Sequence, residues 1–99
     1  MFFLGNHKEK IAQLCDTHHV EKMYVFGSAL TSRFNKNSDI DFLVKFKPFN
    51  LSDYFDNYMV FKEKLSKLFD RKVDLVEEQT LKNPILINSI NQSKELIYG

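Results

Sequence analysis

Residues 20–46 read VEKMYVFGSALTSRFNKNSDIDFLVKF, and the two ends of that stretch differ in kind from its middle. Val20 to Phe26 is rich in Val, Tyr and Phe, alternates loosely and stops at Gly27-Ser28, the pattern of a buried strand running into a turn. Ser28 to Phe34 reads as a short helix whose N-terminus abuts that turn, and Asn35-Lys36-Asn37-Ser38 reads as polar loop. Asp39 to Phe46 is a second strand, with period two visible in its first half, and Pro48 ends it.

Outward from this centre, Ile11, Leu14, Cys15 and His18 recur at the i, i+3, i+4, i+7 spacing of one helix face, so a helix is expected from His7 to His19. Downstream, Ser52 serves as an N-cap with Asp53 in the first turn. Tyr54, Tyr58, Phe61, Leu65, Leu68 and Phe69 then mark one stripe of a helix of about sixteen residues. Arg71 to Glu77 returns to strand character. Asn83-Pro84 has the signature of N-cap and N1 for a last helix through about Gln92, and Glu95 to Tyr98 adds a short edge strand. Helices and strands alternating in this order make an α/β or α+β domain, with helices covering one or both faces of a small sheet.

Composition bounds the function. The chain has 99 residues, 43% of them apolar, with ten Phe and four Tyr. That suffices for one domain over residues 1–99 and leaves no room for a separate substrate domain. Fourteen Lys and Arg against thirteen Asp and Glu give a net charge of +1, so nucleic acid held by bulk charge is disfavoured as a direct partner. A lone cysteine, Cys15, forms no internal disulfide and favours a reducing cytoplasm. The apolar run Met1 to Leu4 is far shorter than a signal peptide's core or a membrane span, so no membrane association is expected.

Three acids in strands require explanation: Asp39, Asp41 and Asp74. Residues i and i+2 of a strand share a face, which sets Asp39 and Asp41 side by side at roughly 6.5 Å between Cα atoms, from a rise of about 3.3 Å per residue. If Val73-Asp74-Leu75 pairs beside Asp39-Ile40-Asp41, at about 4.8 Å between strands, Asp74 joins the same cluster. Carboxylates so close repel unless a cation neutralises them, and hard oxygen donors suit Mg²⁺. A pair of such ions can hold a nucleoside triphosphate, polarise its α-phosphorus and stabilise departing pyrophosphate. Gly27-Ser28 supplies phosphate donors, because glycine lets backbone approach closely and a helix N-terminus offers free N–H groups.

Other readings of the remaining polar and aromatic residues are structural. His18 and His19 are adjacent and lack the spacing that brings two imidazoles to one ion, so a partly buried or helix-terminal role is expected. Cys15 and the aromatic stripe from Tyr54 to Phe69 are read as core, and Glu77 and Glu78 as solvated surface.

The sequence Val25-Phe26-Gly27-Ser28, ten further residues, Asp39-Ile40-Asp41-Phe42-Leu43-Val44 and a later Val73-Asp74-Leu75 resembles the minimal nucleotidyltransferases of the DNA polymerase beta superfamily. The resemblance covers Val20 to Glu77 and, more loosely, Glu95-Leu96-Ile97-Tyr98. It implies the nucleotidyltransferase fold, a small mixed β-sheet flanked by helices. It also implies that Gly27 and Ser28 hold the triphosphate of ATP, that Asp39 and Asp41 bind two Mg²⁺ ions, and that Asp74 completes the metal site or helps deprotonate the acceptor hydroxyl. Small members act as antitoxins that transfer AMP from ATP to a tyrosine of a HEPN-domain ribonuclease toxin. Others modify aminoglycosides or act only within a complex. Many members carry a basic residue directly after Gly-Ser, whereas this chain has Ala29-Leu30-Thr31-Ser32, so the resemblance leaves triphosphate contacts to Arg33 or Lys36. Three functions follow as expectations: a protein adenylyltransferase antitoxin, a binding module that keeps the fold and neutralises its partner by occlusion, and a small-molecule nucleotidyltransferase. The acceptor, the nucleobase and the oligomeric state stay open.

Overall fold

The structure is a computed structural model and describes residues 7–31, 35 and 37–99. Its elements are α1 (Lys8–Thr17), β1 (Val20–Phe26), β2 (Ile40–Phe46), α2 (Tyr54–Phe69), β3 (Val73–Glu77), α3 (Pro84–Ser93) and β4 (Glu95–Tyr98). The strands form one mixed sheet in the order β3-β2-β1-β4. β1 lies antiparallel to both β2 and β4, and β2 lies parallel to β3. The parallel pair requires a crossover, and α2 supplies it.

β2 occupies the centre because it is apolar on both faces. Ile40, Phe42, Val44 and Phe46 point to one side, joined through the strand register by Met23 and Val25 from β1 and by Val73 and Leu75 from β3. α1 and α2 cover that side, contributing Ile11 and Cys15, and Phe61 and Leu65, each pair four residues apart, to a single buried cluster. On the other side Leu43 is buried as well, beside Ile87 and Ile90 of α3. α3 begins as its sequence dictates, with the Asn83 side chain accepting from the backbone N–H of Ile85 at 3.0 Å and Pro84 in the first turn.

Several local expectations change. The N-cap of α2 is Asp53, not Ser52, because a 3₁₀ turn over Leu51–Asp53 precedes the helix and uses up Ser52. The helix expected from Ser28 takes the form of a 3₁₀ turn over Gly27–Leu30, and its continuation at 32–34 lies outside the described residues. Glu77, read as solvated surface, is buried at the end of β3. It shares the inward face with Val73 and Leu75 at period two, and its carboxylate accepts the Gln79 backbone N–H at 3.2 Å and pairs with the Tyr54 hydroxyl.

His18 is buried between α1 and α2. Its Nδ1 lies 2.9 Å from Asn57 Oδ1, and Asn57 Nδ2 donates to the His18 carbonyl at 2.8 Å, tying the end of α1 to α2. Burial lowers the pKa of the imidazole despite that hydrogen bond, and the nearby Lys64 and His19 charges act in the same direction as burial. His19, at φ 63°, stacks on Phe49 at 4.7 Å between ring centroids. Cys15 packs against Met23, and desolvation pushes its thiol up to about 12, leaving it an inert core residue. No helix among the described residues is long and apolar enough to cross a membrane.

Candidate active site

The site lies on the sheet face opposite the α1–α2 core, where the alternation of β2 and β3 turns Asp41 and Asp74 outward. The parallel register pairs them directly, Asp41 with Asp74 between Ile40–Val73 and Phe42–Leu75. Backbone hydrogen bonding of Ile40 N–H to the Lys72 carbonyl at 3.1 Å starts that register. The loop before it is also fixed: Arg71 donates to the carbonyls of Asn35 and Ser38, both at 2.9 Å, and the Asn35 side chain accepts the Asn37 N–H at 2.8 Å. The start of β3 thus clamps the segment that delivers Asp39 and Asp41.

Gly27 completes the carboxylate cradle. It sits at φ +76°, a conformation costly for other residues, and a Cβ on it would strike Oδ2 of Asp41 and lie 3.3 Å from its Cγ. Both the turn and the carboxylate therefore demand glycine. The Ser28 backbone follows in the 3₁₀ turn.

The electrostatics match this crowding. The carboxyl of Asp41 is pushed up to about 6, first by burial, then by the Asp74 charge and a hydrogen bond to it, and last by Asp39. Asp39 stands just before β2, half-exposed, with Oδ2 3.9 Å from Lys72 Nζ. At that distance and exposure the pair adds little stability. The structure thus brings Asp41 and Asp74 into contact and sets Asp39 beside them. Among the described residues no three Asp, Glu, His or Cys side chains gather tightly enough to enclose a cation as they stand. The donor set itself suits a hard divalent ion: oxygen-only ligands, negative in excess, one of them with its pKa raised by burial and by the neighbouring carboxylates. Arg33 and Lys36, expected to contact the triphosphate, lie outside the described residues.

The sequence does not single out the walls around these acids. A cavity of about 300 Å³ opens beside Asp41 and Asp74, walled by Phe26, Tyr58, Lys62, Val76, Leu86 and Ile90. Tyr58 belongs to the aromatic stripe of α2, yet its hydroxyl donates to the Leu75 carbonyl on β3, and burial together with the Asp74 charge raises its pKa. Lys62, four residues on, is the signal available in the sequence: a cation interrupting an apolar stripe at helical spacing.

Known proteins resemble this chain in sequence and fold. Residues 9–99 match the family model described as polymerase beta, nucleotidyltransferase. The chain is 34% identical over 85 residues to MJ1379 of Methanocaldococcus jannaschii, to which protein adenylyltransferase activity is ascribed, covering 86% of this chain and 82% of that protein. A solved minimal nucleotidyltransferase superposes with a TM-score of 0.76 at 27% identity, covering 93% of this chain and 90% of the other. An MNT antitoxin solved in complex with tri-AMPylated HEPN toxin of Shewanella oneidensis shares the fold, with a TM-score of 0.67 at 21% identity over 98% of this chain and 73% of that one. With the glycine turn, the paired acids and the mixed sheet in place, the chain belongs to the polymerase beta nucleotidyltransferase family and is a nucleotidyltransferase.

Proposed function

We propose that this nucleotidyltransferase transfers AMP from ATP, with Mg²⁺, to a tyrosine hydroxyl of a HEPN-domain partner and so acts as an antitoxin. The observation that carries the reading is the direct pairing of Asp41 with Asp74 beside a glycine whose Cβ would collide with Asp41. Support for a protein acceptor comes from the M. jannaschii relative and from the AMPylated HEPN complex that shares the fold. The lone buried Cys15 supports a reducing, cytoplasmic setting.

In this reading Asp39, Asp41 and Asp74 hold the metal, and Gly27, Ser28, Arg33 and Lys36 hold the triphosphate. Bound there, Mg²⁺ supplies the positive charge that polarises the α-phosphorus and lowers the pKa of the acceptor hydroxyl. Asp41 must be ionised to act, so its raised pKa makes cation and nucleotide binding weaken as pH falls through about 6. Asp74, exposed at the cavity, takes the hydroxyl proton while the acceptor oxygen bonds to the α-phosphorus and the bond to pyrophosphate breaks. Val76, Leu86 and Ile90 keep one wall of that cavity apolar.

The test is incubation of the chain with labelled ATP, Mg²⁺ and the HEPN-domain protein of the same genome, followed by mass spectrometry of that partner. Added AMP on a tyrosine is expected; an unmodified partner refutes the reading. A second reading, a module that neutralises its partner by occlusion alone, is favoured by Ala29-Leu30-Thr31-Ser32, which puts no basic residue directly after Gly27-Ser28. Tight partner binding without detectable Mg-ATP binding would establish it.

A further inference from the structure

A groove walled in part by β3 lies beside the carboxylate pair. The cavity at Asp41 and Asp74 shares the walls Tyr58, Leu75 and Val76 with a second cavity of about 460 Å³ bounded by Tyr54, Phe55 and Thr80. Large apolar side chains stand exposed on both flanks. On α2, Phe55 is 69% and Met59 46% exposed; on α3, Ile85 is 82% and Leu86 45% exposed. Phe55 lines the outer cavity and Leu86 the inner one, and exposed apolar side chains beside a cavity mark a surface that another molecule covers. Lys62 lines the inner cavity and makes no ion pair among the described residues.

We propose that this groove is where the acceptor protein docks, seating a segment that carries the reactive hydroxyl, apolar side chains for the α2 and α3 flanks, and an acidic side chain for Lys62. The inference rests on the adenylyltransferase reading above and adds to it the surface and the chemistry of the partner segment. A hydroxyl attached to a protein reaches Asp74 only if the residues around it lie over the mouth of the cavity, and α2 and α3, which wall that cavity, leave these side chains uncovered. Phe55, the aromatic among them and the one lining the outer cavity, is the expected anchor.

The test titrates the purified HEPN-domain protein of the same genome into wild type and four variants: Phe55→Asp, Ile85→Asp, Lys62→Gln and, as control, Leu96→Ser. Leu96 is 50% exposed on β4, at the opposite edge of the sheet. Because Phe55 and Ile85 are mostly exposed, their replacement leaves the core intact, which a denaturation curve verifies. The groove predicts partner affinity at least tenfold weaker for Phe55→Asp and Ile85→Asp and several-fold weaker for Lys62→Gln. Leu96→Ser should match wild type, and Mg-ATP affinity should hold in the Phe55, Ile85 and Leu96 variants. Unchanged partner affinity in the Phe55 and Ile85 variants overturns the proposal, as does weakened Mg-ATP binding in those two, which would assign the groove to the nucleotide. Partner affinity and AMP transfer are read separately. A partner that binds through Phe55 yet receives no AMP refutes the adenylyltransferase reading and leaves the docking surface standing.

Discussion

The two faces of the sheet are built from the same two strands and do opposite work. In β2, Ile40, Phe42, Val44 and Phe46 pass into a core closed by α1 and α2, while Asp41, one residue out of phase, is held against Asp74 on the other side. One face stabilises the fold by removing apolar area from water. The other opposes it, since Asp41 is partly buried among like charges and is pushed up to about 6. Adjacent residues thus show where stability is made and, in the proposed reading, where it is given up for chemistry.

The largest way to break this comparison lies on the core face. Phe61 is fully buried between α2 and the sheet, so Phe61→Ala should cost about 3–5 kcal/mol by urea denaturation, and activity should fall only as the folded fraction falls. At the junction of the two faces, Gly27→Ala should cost about 1–2 kcal/mol from its left-handed backbone alone. It should also displace Asp41, so Mg-ATP affinity measured by calorimetry should drop further than stability does.

The smallest effect is the most diagnostic. Asp41 binds protons more tightly folded than unfolded, where its pKa is near 3.9, so folding stability declines as pH rises from about 4 to 6 and stays lower at pH 7. Asp41→Asn removes that penalty. After discounting for the side chain's partial exposure, the variant should gain about 1 kcal/mol at pH 7, and the gain should vanish below pH 4. Paired denaturation curves at pH 4 and 7 check both the sign and the window.

Much of this was legible from residue order. The strand from Val20 to Phe26, the Asn83-Pro84 helix start and the terminal edge strand stand where their local signals put them, because each is set by neighbours in sequence. The Asp41–Asp74 contact was legible too, as a consequence of period-two alternation once β3 is placed beside β2. What escaped depends on partners distant in sequence. Glu77 is buried because Tyr54 satisfies its carboxylate, and the ties between His18 and Asn57 join residues 39 apart. The choice of Asp53 over Ser52 as cap turned on one extra 3₁₀ turn, which no residue between Leu51 and Asp53 announces. The cavity beside the carboxylates arises only when α2, β3 and α3 come together, so Lys62 and Leu86 looked unrelated in the chain.

The central claim is that the paired carboxylates serve transfer of the nucleotide and not the fold. Its most direct test is the rate of AMP transfer by Asp41→Asn against wild type at pH 7 with saturating Mg²⁺, using protein shown to be folded. The account predicts a loss of about 10²–10³-fold, the range seen when one preorganised charge-stabilising group is removed from a site. An Asp41→Asn protein that transfers AMP at the wild-type rate would contradict it.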